Sequence, residues 1–460
     1  MEQLRRQAGA ATVGHGAEAL HRRMAEVVRL VDENRVERWG SLQRVQGAAF
    51  AVRGFGSAAE LGRRVLIERG GDPLPGEIVA FQADEALIMP EGAADALRPG
   101  ARVRLGRRPG LYPSWAWLGR VVDGLGQPLD GLGPLAAGAS EFPLSRLAPP
   151  AFGRRPMGAP LETGIRLVDS FVPLCRGQRL GIFAASGVGK STLMGMLARF
   201  VQADVVVVGL VGERGREVQD FLREALGPEG LKRAVVVVST SDQPALARRR
   251  AAQASLAVAE FFRGEGAQVL LLLDSVTRLA QAQRDIGLAA GEPGTARSFT
   301  PSVFSELPAL LERAGPGPEG EGDITAVFTV LVEGDDHDEP VADAVRGILD
   351  GHLVLDRRIG ERGRWPAVDV LRSVSRALPR CFPPDLNALV SGAREAISSF
   401  EGMAEMIRLG AYRSGSDPAV DRAIRLRPSL EAFLAQGVDE RGAREEAFAR
   451  LAAILEGDAP

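Results

Sequence analysis

Residues 181–192, GIFAASGVGKST, place a lysine and two hydroxyl side chains directly behind a glycine-bearing turn. The spacing is that of the phosphate-binding pattern G-x-x-x-x-G-K-[ST], with Ala184 standing where the first glycine is usual. In such a turn consecutive backbone N–H groups face phosphate oxygens, and the helix that follows lends its positive N-terminal end. Ala185, Ser186, Gly187, Val188 and Gly189 would form the nest, Lys190 would contact the β- and γ-phosphates, Ser191 would ligate Mg²⁺, and Thr192 would sit by the α-phosphate. Glycine is needed where φ is positive or the backbone must pass close to the ligand. Gly187 and Gly189 lie nearest the lysine, so alanine at 184 and 185 adds only methyl groups. The cofactors expected are therefore ATP and Mg²⁺.

Two carboxylates join this loop. The apolar run VLLLLD ends in Asp274, where a carboxylate orients a magnesium-bound water at the rim of a sheet. The run VGLVGERGREVQDF at 208–221 carries Glu213 at the end of a second apolar strand, placed to polarise an attacking water. From spacing alone Glu213 is equally suited to an ion pair with Arg214 or Arg216, or Glu217 takes that pairing instead.

The elements around these residues supply the right frame. GQRLGIF before the loop reads as a strand and STLMGMLARF after it as a helix, the context that a chance match lacks. From 113 to 380, strand-like runs (DVVVVGLVG, AVVVVST, VLLLLDS, ITAVFTVLV) alternate with helical patterns, as in a mostly parallel sheet covered by helices. Residues 40–112 instead show short apolar stretches between Gly and Pro, which predicts a small β-barrel. Residues 381–460 show helical periodicity in LNALVSGAREAISSFEGMAEMIRLG, PAVDRAIRL, PSLEAFLAQ and AFARLAAIL, and form a C-terminal helical domain. Residues 1–39, through ALHRRMAEVVRLVDENRVERW, read as an amphipathic arm that packs or docks a partner. The stretch AGPGPEGEGD at 314–323 reads as an exposed flexible loop. The fold class expected is thus multidomain: an N-terminal β-barrel, a central α/β P-loop domain and a C-terminal α-helical domain.

Composition bounds the function. A formal charge of −3 in 460 residues supplies no broad positive field for sequence-independent nucleic-acid binding. The four histidines show no metal-ligand spacing, and the acidic run EGDDHDEP at 333–340 reads as a solvated loop. Cys175 and Cys381, far apart in the sequence, suit a reducing compartment and places as small apolar residues. No apolar run approaches the roughly 20 residues that span a bilayer.

Several longer phrases then carry a resemblance. GERGREVQDFL, LLLLDSVTRLAQAQRDIGLAAGEP, PSVFSELPALLERAG, TVLVEGDDHDEPVADAVRGILDGHLVL, WPAVDVLRSVSRAL and GAYRSGSDPAVDRAIRL together resemble rotary ATPase catalytic subunits, within them the branch that powers type III protein export. The likeness covers about residues 40–455. It implies a RecA-like central domain in which Glu213 is the catalytic glutamate and Arg214 lies near the γ-phosphate. Arg376, in SVSRAL, matches the arginine finger that reaches a neighbouring subunit's site, a contribution of about 10³–10⁵ in rate in other enzymes. Trp365 and Tyr412 match the two aromatics that flank adenine, Trp365 replacing the family's usual tyrosine. Alanine at 184 is common in that family, whereas Ala185 replaces a glycine. Phe299, in GEPGTARSFTPSVF, replaces another tyrosine in a loop expected at the subunit interface or pore.

Because Glu213 and Arg376 share one polypeptide, a ring of identical copies can complete every site, and the resemblance implies a homohexamer. It also implies a stator-like regulatory partner on the arm, a central stalk protein, export-gate proteins, and export substrates or their chaperones. The expected location is cytoplasmic, peripheral at the cytoplasmic face of the inner membrane, without nucleic acid. The reading is an Mg-ATP hydrolase energising flagellar type III export. Its alternatives are an injectisome ATPase or a rotary ATP synthase subunit. A hexameric RNA translocase is a further one, against which stand the few aromatics of 40–112 (Phe50, Phe55, Phe81, Tyr112). A non-catalytic binding protein is the last, against which stand Lys190 and Glu213.

Overall fold

A computed structural model describes residues 37–457 except 333 and 335–338. Residues 1–36 of the expected arm at 1–39 and most of the acidic run at 333–340 lie outside the described residues, and Trp39, at the arm's end, instead opens the first strand.

Six strands come first: β1 (Trp39–Gln46), β2 (Ala49–Arg53), β3 (Arg64–Arg69), β4 (Gly71–Gln82), β5 (Glu85–Pro90) and β6 (Arg102–Leu105). They close into a barrel in the order β1-β2-β5-β4-β3-β6. The alternation in RVLIER shows why: Val65 and Ile67 turn into the barrel and are fully buried, while their neighbours face outward. Phe50 and Phe55 fill the same interior. A two-stranded ribbon, β7 (Gly110–Leu111) with β9 (Phe142–Pro143), and the short β8 (Val121–Val122) lead into the central domain.

There β10 (Arg179–Ala184), β11 (Val205–Glu213), β12 (Ala234–Thr240), β13 (Gln268–Asp274), β14 (Gly315–Pro316), β15 (Asp323–Leu331), β16 (Gly351–Leu355) and β17 (Val368–Ser375) join β8 in one sheet. Its order is β17-β16-β10-β15-β13-β11-β12-β8, with β14 paired to β15. The pairings from β16 through β10, β15, β13, β11 and β12 to β8 are parallel, and β17 runs antiparallel at the edge. Helices cover both faces, so strands such as VVVVGLVG are buried without alternation. They are α1 (Arg166–Phe171), α2 (Lys190–Phe200), α3 (Gly215–Asp220), α4 (Gly227–Lys232), α5 (Ala245–Gly264), α6 (Val276–Ala289), α7 (Pro301–Leu311), α8 (Pro340–Ile348) and α9 (Arg357–Glu361).

Three helices finish the chain: α10 (Pro384–Arg408), α11 (Pro418–Leu434) and α12 (Arg444–Glu456). PAVDRAIRL and PSLEAFLAQ, separate stretches by pattern, belong largely to the single helix α11. Pro428 inside it is carried by the packing of Leu426, Leu430 and Phe433 against the central domain's core, which outweighs a cost of about 3 kcal/mol for an interior proline. No helix among the described residues is long and apolar enough to cross a membrane.

One expectation needs correction here. Residues 314–323 are not a loose loop, because Gly315 and Pro316 pair with β15, and Arg155 binds the backbone oxygens of Gly317, Glu321 and Gly322 and the Asp323 carboxylate. Gly322 sits so tightly that a Cβ would lie 1.9 Å from the Ala267 oxygen. In the loop GEPGTARSFTPSVF, Phe299 itself is buried, edge-on to Phe304 at 6.4 Å, while Gly294, Thr295, Arg297 and Ser298 are exposed. The cysteines, distant in sequence, meet in space, and the hydrogen bond between them pushes the Cys175 thiol up and holds Cys381 down.

Candidate active site

The parallel strands deliver the candidate residues to one rim of the sheet. β10 ends at Ala184 and passes into the turn that opens α2 at Lys190. Gly187 (φ 80°) and Gly189 (φ 87°) take the left-handed conformation, whereas Ala184 and Ala185 do not. This is why alanine fits at those two positions: the turn's positive φ angles fall only on its retained glycines.

β13 and β11 are adjacent, and their ends bring Asp274 and Glu213 to Lys190. Lys190 Nζ donates to Asp274 Oδ1 and lies 3.6 Å from Glu213 Oε1. All three side chains are nearly withdrawn from water, at 10%, 4% and 14% exposure. Burial pulls the Lys190 ammonium down, but Asp274 and Glu213 outweigh it and the net shift is upward. Burial, aided by the Asp274 charge and a hydrogen bond that the protonated carboxyl donates to Glu217, pushes Glu213 up to about 8 against the pull of Lys190. The spacing-based pairing of Glu213 with Arg214 or Arg216 does not occur. Arg214 is exposed and pairs with Glu217 at 3.5 Å, and Arg216 with Asp220 at 3.6 Å. A π-helical turn, Phe221–Leu226, follows α3 directly, a feature frequent near functional sites.

Trp365 lies on the same rim, in the link from α9 to β17. Its ring covers the phosphate loop so closely that a Cβ on Gly189 would lie 2.7 Å from it. The ring remains 44% exposed, enough to offer a face for stacking. Tyr412 is elsewhere. Its hydroxyl is held at the start of α11 by the Asp417 oxygen and the Asp421 carboxylate, both at 3.0 Å. The segment that touches Trp365 is the other end of that helix, where Gln436 N donates to the Trp365 oxygen at 2.7 Å. A helix of 17 residues lies between, about 25 Å of rise. The expectation that both aromatics flank one adenine is therefore overturned: matching a phrase could not measure the length of α11.

Arg376 sits at the opposite rim. It follows β17, its N–H donates to the Asp350 oxygen, and Asp350 N donates in turn to Arg179 at the start of β10. The phosphate loop begins beyond the other end of β10, six residues on, or about 17 Å or more of extended chain. Arg376 is exposed and cannot reach its own chain's loop.

Other residues at the site were not singled out from sequence. Arg357 Nη2 donates to the Ser186 oxygen at 3.1 Å, fastening α9 to the phosphate loop. Thr329 Oγ1 donates to Asp274 Oδ1 at 2.7 Å. An arginine in RRIGERGRW and a threonine in an apolar strand carry no spacing signal; only the polarity of Thr329 within ITAVFTVLV hinted at a partner.

A β-barrel, a P-loop domain with a lysine between two strand-end carboxylates, and a helical cap define a nucleotide-hydrolysing P-loop protein. Residues 164–375 match the nucleotide-binding domain of the ATP synthase alpha/beta family, and residues 383–453 the type III secretion EscN ATPase C-terminal domain. The chain is 53% identical to the flagellum-specific ATP synthase of Caulobacter vibrioides over 91% of its length and 96% of that protein. It is 45% identical to the type 3 secretion system ATPase of Xanthomonas euvesicatoria, over 91% of this chain and 94% of that one. Its fold matches the assembled ATPase EscN of enteropathogenic E. coli with a TM-score of 0.84 at 37% identity, covering 90% of this chain and all of that one. EscN is also known in complex with its central stalk EscO, where the TM-score is 0.82. The chain belongs to the flagellar and type III secretion ATPases of the ATP synthase alpha/beta family, and it is an ATP hydrolase.

Proposed function

We propose that this chain energises protein export through a flagellar type III apparatus, as a homohexamer whose sites are completed between neighbours. The observation that carries the reading is the division of one chemical site between two rims of one chain. Lys190, Glu213 and Asp274 converge at the carboxyl end of the sheet, and Arg376 stands exposed at the far end. A second copy, set head to tail, can lend its Arg376, and repetition of that contact closes a ring. EscN, a relative with the same fold, assembles and binds a central stalk; a stalk partner is proposed here on that basis.

The residues fit magnesium nucleotide. A Cβ at Gly187 would meet nothing within 4 Å, which leaves the loop open to a phosphate. Glu213 Oε1 is buried without a hydrogen-bond partner, and the hydroxyl of Ser191 with the Asp274 carboxylate offers the oxygen donors that Mg²⁺ prefers. Bound there, Mg²⁺ would neutralise charge on the β- and γ-phosphate oxygens. Lys190 would move from the carboxylates to the phosphates. Glu213, whose proton affinity burial and Asp274 raise, would take up proton density from the attacking water, and Glu217 shares a hydrogen bond with it. Arg376 of a neighbouring copy would stabilise the charge of the transition state. The Trp365 face would stack the base, with Tyr412 taking no part.

Flagellar export is favoured over an injectisome by the higher identity to the Caulobacter protein than to the Xanthomonas one. An RNA-translocating role is disfavoured because, of the four aromatics at 40–112, Phe50 and Phe55 are buried in the barrel and only Phe81 and Tyr112 are exposed, which leaves few faces for stacking bases. The test is ATPase rate against protein concentration. Wild type should rise cooperatively, and Glu213→Gln and Arg376→Ala should stay flat and near zero. Full activity in either variant overturns the assignment.

A further inference from the structure

Thr329 is the site residue least expected from its setting. Its strand, DITAVFTVL, is otherwise apolar apart from Asp323 and Thr325, and Thr329 is fully buried. It lies one residue beyond the pairing of Phe328 with Leu273, which sets it beside Asp274 at the ends of adjacent strands. A buried hydroxyl needs a partner. Thr325 meets that need structurally, accepting from Gly177 N at 2.9 Å. Thr329 does otherwise: its single proton has the Asp274 Oδ1 at 2.7 Å and the Leu273 oxygen at 3.4 Å, and the shorter, charge-assisted contact takes it. Valine would fill the same place in the strand with no hydroxyl to satisfy.

The consequence concerns Asp274. Its Oδ1 accepts from two side chains among the described residues, Lys190 and Thr329. A phosphate that draws Lys190 away leaves Thr329 as the remaining side-chain donor on that oxygen. We propose that Thr329 is a positioning residue for the magnesium nucleotide, its hydroxyl fixing the orientation of the Asp274 carboxylate while Lys190 serves the phosphates. The inference rests on the reading of Asp274 as the carboxylate that serves the metal. Groups that orient a metal's ligands typically account for about 10–100-fold in metal affinity.

The experiment is calorimetric titration of the full-length protein with ADP, once with Mg²⁺ and once with EDTA. Wild type should bind ADP more tightly with Mg²⁺. In Thr329→Val and Thr329→Ala, which remove the hydroxyl at two different volumes, that metal-dependent gain should shrink about 10-fold while affinity in EDTA stays at the wild-type value. Thr329→Ser should restore the gain. A wild-type gain in either hydroxyl-free variant overturns the inference, and so does an equal loss with and without metal, which would mark a packing role. Absence of any metal-dependent gain in wild type would instead overturn the reading of Asp274 itself.

Discussion

Lys190 gathers two carboxylates around one ammonium, and the balance among the three sets what each can do. Glu213 carries most of the electrostatic cost: its ordinary pKa lies near 4.5, and burial beside Asp274 raises it to about 8. A carboxyl whose pKa is higher folded than unfolded stabilises the fold below its unfolded value, and that stabilisation is lost as pH rises toward 8. Glu213→Gln removes the titration. Its melting temperature should therefore change less between pH 5 and pH 8 than wild type's, and at pH 8 it should melt higher. The same variant should bind nucleotide and fail to turn it over. A melting curve at pH 8 no higher than wild type's would show that Glu213 is not strained as described.

The elements decide which residues of a quoted phrase can act together. α11 separates Tyr412 from Trp365, so the two should respond differently to substitution. Trp365→Ala should weaken nucleotide binding about 5- to 100-fold, the worth of one base stack, and Tyr412→Ala should leave it unchanged; a matching loss in both would restore the paired-aromatic idea. The barrel is tied to the central domain just as specifically. Glu77 on β4 is 2% exposed and binds Arg249 and Arg250 of α5, and Arg250 also binds Glu91 at 2.6 Å. Removing one member of a buried ionic network leaves its partners uncompensated, so Glu77→Ala should cost about 3–5 kcal/mol, measured by thermal or chemical denaturation. Much of this architecture was legible: runs such as VVVVGLVG and VLLLLD announced buried parallel strands, and their terminal carboxylates announced the site. What stayed hidden depends on tertiary distance. The length of α11, the clamp of Arg155 on 317–323, the meeting of Cys175 with Cys381 and the contacts of Arg357 and Thr329 all join residues whose separation in sequence carries no period.

At the scale of the whole molecule, the proposed site is divided across the sheet, so that on this reading a single copy would not complete it. Its parallel strands point the phosphate loop one way, and the antiparallel edge strand β17 returns Arg376 to the opposite rim. The most direct test of that division mixes two inactive variants. Glu213→Gln keeps the finger, and Arg376→Ala keeps the glutamate. In mixed rings from equal amounts, roughly a quarter of the seams unite an intact pocket with an intact finger. The account predicts that ATPase activity, absent from either variant alone, returns on mixing and rises with protein concentration. No recovery from mixtures shown to form rings together would contradict it.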